Sequence, residues 1–194
     1  IIVADMGIFS LAKRVAPGLE LHVSTQASTT NWHTVQMWKE LGATRVVAAR
    51  EVSLADLKEM KDNVDIEIES FVHGSMCISY SGRCLLSNYM TGNRDANRGQ
   101  CSQSCRWKYS LVESNRPGEY YPIEEDEHGT YIFNSKDLCL IHRIPDLYEA
   151  GIDSLKIEGR MKSVHYCATV AKVYRTAIDT YLKEGKDWYV RPEW

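Results

Sequence analysis

The chain has 194 residues, a formal net charge of −3 from 23 basic and 26 acidic side chains, and six cysteines. That length allows one domain with a sizeable core. The balanced charge excludes binding of nucleic acid or membrane through bulk charge, and no apolar run approaches the roughly 20 residues needed to span a bilayer.

Ile1-Ile2-Val3-Ala4 runs straight into Asp5, which predicts a buried strand and not a secretory leader. A chain opening on a strand without an initiator Met is expected to be a fragment of a longer protein. Phe9 to Val15 reads as a short helix closed by Pro17-Gly18, and Leu19 to Val23 as the next strand. Asn31 caps a helix over Trp32 to Leu41, with Val35, Trp38 and Leu41 on its apolar face and Gly42 as its stop. Arg45 to Ala49 is a third strand; Ser53 with Asp56 opens a helix to about Lys61. Ile66 to Val72 is a fourth strand, with Ile66, Ile68 and Ser70 facing one way and Glu67, Glu69 and Phe71 the other.

The alternation then stops. Gly74 to about Thr130 shows no clean βα unit and carries four cysteines and the acidic loop Glu124 to Glu127. Irregular segments this long are usually functional or disordered. Tyr131-Ile132-Phe133 reads as a short strand, Pro145 to Ala150 as a helical turn and Ser154 to Ile157 as the last strand. Ser163 to about Lys183 is a long amphipathic helix, with Val164, Cys167, Ala168, Ala171, Val173, Tyr174 and Ile178 mostly on one side. The expected organisation is residues 1–73 as βα units, 74–140 as a Cys-rich insertion and 141–194 as the last βα unit with its helix.

Strand-helix alternation implies parallel strands with right-handed crossovers. About five such strands are present, short of the eight of a (β/α)8 barrel.

The cysteines are the strongest chemical signal. Cys77, Cys84, Cys101, Cys105 and Cys139 fall within the irregular region and its exit. Four thiolates suit an iron–sulfur cluster or tetrahedral zinc, although the spacing lacks the paired CxxC of zinc ribbons. Small buried hydrophobes or free thiols are the third reading. Cys167 lies on the apolar side of the last helix and is expected to pack in the core.

Polar residues at strand ends form a second set: Asp5, His22 with Ser24 and Gln26, Arg50 with Glu51, Glu69 with His73, and Lys156 with Glu158 and Arg160. Parallel strands bring such ends to one face. There, Arg50 and Arg160 suit a carboxylate substrate, His73 suits general acid–base work, and Glu69 and Glu158 suit orienting these groups or binding a metal. The bland alternative is a solvated rim. Arg94, Arg98, Arg106-Trp107-Lys108-Tyr109 and Arg116 combine cations with stacking surfaces, as single-stranded or loop RNA requires; the acids at 124–127 weaken that patch. No GxSxG, HExxH or P-loop occurs.

The stretch Glu69-Ser-Phe-Val-His-Gly74-Ser-Met-Cys77, followed by Gly82-Arg-Cys84-Leu-Leu-Ser87, resembles the signature of the collagenase-like peptidase family U32. The resemblance extends less sharply from about Ile1 to Leu182. It implies a partial TIM-like barrel with this chain as the C-terminal half; open sheet edges are then expected to be mobile or covered by another copy of the chain, and a family-member partner is also expected. It also implies a [4Fe–4S] cluster on Cys77, Cys84, Cys101 and Cys139, with Cys105 as a substitute. Members act in hydroxylation of RNA bases, including the wobble uridine of tRNA, or of the ubiquinone ring. The tRNA branch uses prephenate as co-substrate, which the arginines would hold. The expectation is therefore a cytoplasmic iron–sulfur enzyme of tRNA uridine 5-hydroxylation. Its rivals are a true protease using His73 with Glu69 or Cys77, and a non-catalytic cluster-binding partner.

Overall fold

The computed structural model describes residues 1–77, 79–107, 109–122 and 137–194. The expected acidic loop at 124–127, the strand at 131–133 and Lys108 lie outside the described residues. The chain divides into two compact units, one made of Ile1–Gly74 with Leu138–Trp194 and the other of Ser75–Asp137.

The first unit opens with β1 (Ile2–Val3) and α1 (Met6–Val15), followed by β2 (His22–Val23) and α2 (Trp32–Glu40). β3 (Arg45–Val47), α3 (Leu54–Asn63) and β4 (Glu67–Ser75) come next. Three helix starts are fixed by side chains that satisfy otherwise unpaired amides. Asp5 accepts from the Ile8 amide, Asn31 accepts from the Thr34 amide, and Ser53 and Asp56 form a reciprocal capping box. Asp5, two residues past the end of β1, is thus a helix cap as well as a strand-end residue. After the second unit come β7 (Asp137–Cys139), α5 (Ile144–Glu149), β8 (Ser154–Ile157) and α6 (Val164–Glu184), with Ser163 as the cap of α6.

β1, β2, β3 and β4 pair in parallel in sequence order, and β8 pairs in parallel with β4. This is the α/β, mostly parallel sheet expected from the alternation. β7 also pairs with β4, making a six-stranded sheet; three residues were too short a run to read as a strand. Val3, Val23, Val46 and Ile68, one from each neighbouring strand, form a core with Phe9, Val35, Trp38, Leu57 and Met60 from the helices. A second core gathers Val72, Ile144, Leu147, Tyr174 and Ala177. Burying apolar surface of this kind is the main favourable contribution to folding. On α6 the buried stripe runs through Tyr174 and Ala177, whereas Val164 is 87% exposed. The expected stripe therefore started too early and was rotated.

The second unit holds α4 (Leu86–Thr91) and an antiparallel pair, β5 (Ser110–Leu111) with β6 (Tyr121–Pro122). Short 3-10 turns lie at Ala96–Arg98 and Ser104–Arg106 in this unit and at Thr25–Ala27, Ile141–Arg143 and Gly185–Asp187 in the first.

Candidate functional site

The face of the sheet opposite the first core is charged. Because side chains alternate along a strand, Glu67, Glu69 and Phe71 share this face with Arg45 of β3 and Lys156 of β8. Glu69 is its hub. The side chain is 9% exposed and receives Lys156 Nζ at 2.6 Å, Arg45 Nη1 at 3.3 Å and the Ser154 hydroxyl at 2.9 Å. Burial alone would raise its pKa, but the hydrogen bond and charge of Lys156, with Ser154 and Arg45, hold it below the ordinary carboxylate value. Glu69 is thus kept ionised, which suits it to orient Lys156. Arg45 also pairs with Glu67 at 2.7 Å. His22 shares the row of Arg45 and Glu67; burial and the Arg45 charge lower its pKa and favour the neutral ring.

Further along β4, the Phe71 ring carries two cations. The Arg50 guanidinium carbon lies 3.9 Å and Lys156 Nζ 5.7 Å from its centroid. Both are distances at which a ring's π face attracts a cation. The β4–β8 register slips between Phe71 and His73, as at other bulges that re-aim side chains near functional sites. The His73 ring packs 5.8 Å from Tyr166 and 5.5 Å from Tyr174, and its carbonyl accepts the Glu158 amide at 2.8 Å. Gly74 follows with φ +103°, and a Cβ there would run into the Glu158 carbonyl oxygen. Only glycine meets both demands.

In the second unit Cys77, Cys84, Cys101 and Cys105 are free and half-buried. Burial pushes the Cys105 thiol up, Cys101, Cys77 and Cys84 push it further, and Arg106 opposes them. The Cys101, Cys77 and Cys84 thiols each lie within electrostatic reach of Cys105. The Gln103 amide donates to Cys101 Sγ at 3.3 Å, the kind of N–H···S bond that tunes metal-bound thiolates. Arg106 gathers the unit's two ends, pairing with Asp137 and donating to the Met76 carbonyl at 3.5 Å. Among the described residues no three His, Cys, Asp or Glu side chains converge closely enough to hold a metal ion.

The family model described as peptidase family U32 matches residues 1–194. The chain belongs to peptidase family U32. It is 54% identical to "tRNA hydroxylation protein P1" of Bacillus subtilis over 100% of this chain and 46% of that protein. It is 42% identical to "tRNA hydroxylation protein P" of Escherichia coli over 92% of this chain and 48% of that protein. A third relative, "23S rRNA 5-hydroxycytidine C2501 synthase" of Escherichia coli, is 36% identical over 96% of this chain and 27% of its own length. The chain thus spans about half the length of the two tRNA hydroxylation proteins.

In this U32 chain the expected site residues fall into separate settings. Glu69, Lys156, Arg50 and His22 lie on the charged sheet face. Gln26 is half-buried in a 3-10 turn, where its amide bonds Ser24. Arg160 is exposed, and its amide bonds the Glu158 carboxylate at 3.1 Å. Cys139 is exposed and belongs to the first unit. Cys167 bonds the Gly159 carbonyl at 3.4 Å, a packing role. Of the cation and aromatic set, Arg94 is spent on the carbonyls of Gln100 and Cys101. Arg98 and Arg116 are exposed beside Asp95 and Glu119, while Trp107 and Tyr109 stack at 6.4 Å. Arg45 and Ser154 were missed. The available signal was opposite charge on neighbouring strands, Arg45 on β3 against Glu67 and Glu69 on β4.

Proposed function

We propose that this chain is the cluster-binding part of an enzyme that hydroxylates C5 of a uridine in tRNA. One observation carries this reading: its similarity, along nearly all of its length, to two proteins named for tRNA hydroxylation. The named 23S rRNA synthase supports RNA as the wider substrate class. Replacing C–H by C–OH oxidises the base by two electrons, and ordinary side chains supply no such oxidant.

What supports a [4Fe–4S] cluster is donor type: four free, half-buried thiols share one small unit and one accepts an N–H bond, although among the described residues no three of them converge on a metal position. Cys77, Cys84 and Cys101 would be ligands. The family resemblance supplies Cys139 as the fourth, with Cys105 as a substitute for one of the four; zinc would use the same thiols. When bound, the cluster supplies one-electron redox chemistry.

The remaining tasks belong to the sheet face. Arg50 and Lys156, held against Phe71 and steadied by Glu69, are cations placed for an anionic co-substrate such as prephenate. Arg160, His22 and Gln26 extend that polar surface. His73 would move a proton, with Glu158 fixing the backbone beside it. We read the first unit as the C-terminal half of a TIM-like barrel, acting in the cytoplasm and completed by further chain, a second copy or a family-member partner.

Mass spectrometry of tRNA nucleosides from a deletion strain tests the activity. Loss of 5-hydroxyuridine derivatives is expected, and unchanged levels would overturn the proposal. Gelatin cleavage that survives purification and disappears in His73→Ala would favour the protease reading instead. An anaerobic preparation of the full-length protein should be brown; a colourless one holding one zinc would remove the cluster.

A further inference from the structure

The thiol-bearing unit turns apolar and cationic side chains outward on one short stretch. Tyr80, Leu85 and Tyr89 are 65%, 80% and 84% exposed, whereas large apolar side chains left in water are ordinarily scattered singly. The backbone explains the display. The Arg83 amide donates to the Tyr80 carbonyl at 2.9 Å, and Gly82 at φ +75° supplies the left-handed residue that such a turn requires. Ser81 of this turn is buried, while Tyr80 and Arg83 face solvent. On α4 the inner face is polar: Ser87, Asn88 and Thr91 bond to Ser102, Asp95 and the Arg94 amide. Leu85 and Tyr89, four residues apart, share the outer face.

Charge selects the partner. Residues 79–107 carry Arg83, Arg94, Arg98 and Arg106 against one acid, Asp95, in a chain whose net charge is −3. Arg83 is exposed and has no ion-pair partner among the described residues; the Arg98 side chain is 76% exposed beside Asp95. An acidic protein surface would satisfy these arginines but leave the tyrosine rings without flat partners. An unstacked nucleotide supplies both, its base stacking on a ring and its phosphate meeting a cation. The stretch also runs from just after Cys77 through Cys84, so a base held on it is presented beside those thiols. We infer that Tyr80, Tyr89 and Arg83 form a platform for single-stranded RNA, on which a loop nucleotide of the substrate stacks. This rests on the proposed reading of the chain as part of an RNA hydroxylase and names the surface that takes the RNA.

The test measures binding of a labelled oligouridylate of about ten nucleotides to the full-length protein, with a blunt RNA duplex for comparison. Wild type is set against Tyr80→Ala, Tyr89→Ala, Tyr89→Phe and Arg83→Ala, and Tyr148→Ala, at a tyrosine of the first unit that is 60% exposed, is the control. All these side chains are exposed, so the variants should fold. Tyr80→Ala and Tyr89→Ala should each weaken oligouridylate binding about 5- to 100-fold and leave duplex binding unchanged. Tyr89→Phe keeps the ring and should bind as wild type does. Arg83→Ala should lower the salt dependence by about one phosphate contact, and Tyr148→Ala should match wild type. A wild type that does not bind the oligouridylate, tyrosine variants that bind as tightly as wild type, or an equal loss in Tyr148→Ala would each overturn the inference. So would unchanged RNA binding with an altered oligomeric state, which would make the patch a protein contact. Nucleosides from a deletion strain separate this from the proposed activity. If wild type and a Tyr80→Ala, Tyr89→Ala double variant restore 5-hydroxyuridine derivatives equally, the platform falls and the activity stands. If the deletion itself changes nothing, the activity falls and the binding data alone decide the platform.

Discussion

The two units are stabilised by different chemistry. In the first, Val23, Val35, Val46, Val47, Met60, Ile68, Val72 and Ala177 are fully buried, and the sheet and helices close over them. In the second, the buried side chains among the described residues are Ser81, Ser87 and Ser104. Its order rests on polar bonds: Arg106 to Asp137 and Met76, Gln103 to Ser75, and Ser87 to Ser102. Among its described residues no apolar side chain is fully buried, and a segment of that size with little core is commonly stapled; the thiols of the proposed cluster would serve. The first unit is a scaffold by hydrophobic burial; among the described residues of the second, polar bonds take that place.

Removing the proposed cluster should separate them most sharply. Structural metal sites contribute on the order of 10 kcal/mol to the order of their domains. Treating the full-length protein with a chelator and reductant should open residues 75–137 to limited proteolysis while leaving 1–74 and 138–194 resistant. Protection of both units after complete metal loss would show that the polar bonds suffice.

The converse experiment strikes the core. Ile68→Ala removes a fully buried side chain from the sheet and should cost about 2–5 kcal/mol. Thermal denaturation should register that loss, while the metal-to-protein ratio of the folded fraction stays unchanged. A change in metal content at temperatures where the sheet is folded would mean that the units are not separately supported.

Glu69→Gln tests the charged face, with a smaller expected loss of about 2 kcal/mol for weakening hydrogen bonds to charged partners. Its pH signature has a definite sign. The folded pKa lies below the unfolded value of about 4.3. The stabilisation is therefore fully present above that unfolded value and is lost as pH falls through the folded one. Wild type should lose its advantage over Glu69→Gln in acid denaturation profiles, and a constant gap down to the acid limit would contradict the ion-pair role.

Local signals explain what could be read from the chain directly. The Ser53–Asp56 capping box, the Asn31 cap and the strand at 154–157 are set within a few residues, so the sequence pattern carries them. The role of Arg45 depends on strand register, because Glu67 and Glu69 meet it only once β3 and β4 pair. The short β5–β6 pair and β7 span too few residues to show a period. The stripe on α6 was misjudged because alanines and Val164 read as apolar although the helix turns them outward. The nearness of Cys105 to Cys77, Cys84 and Cys101 depends on how the 3-10 turn at Ser104–Arg106 folds back, which spacing alone does not show.

The smallest effect belongs to the polar unit. Ser87 is 1% exposed; its hydroxyl donates to Ser102 Oγ at 3.1 Å and accepts the Ser102 amide at 2.8 Å. Ser102 directly follows Cys101, so this pair holds one flank of a thiol. Ser87→Ala leaves the amide without its acceptor and should cost about 1–2 kcal/mol, read as faster proteolysis of residues 75–137 with no shift in the melting of the rest. If the metal dominates that unit, the difference should appear in the apoprotein and shrink on loading, because the bound ion then holds Cys101 whether or not the serine does. A Ser87→Ala effect of equal size in apo and loaded protein would mean that the polar bonds, and not the thiols, set the order of the second unit.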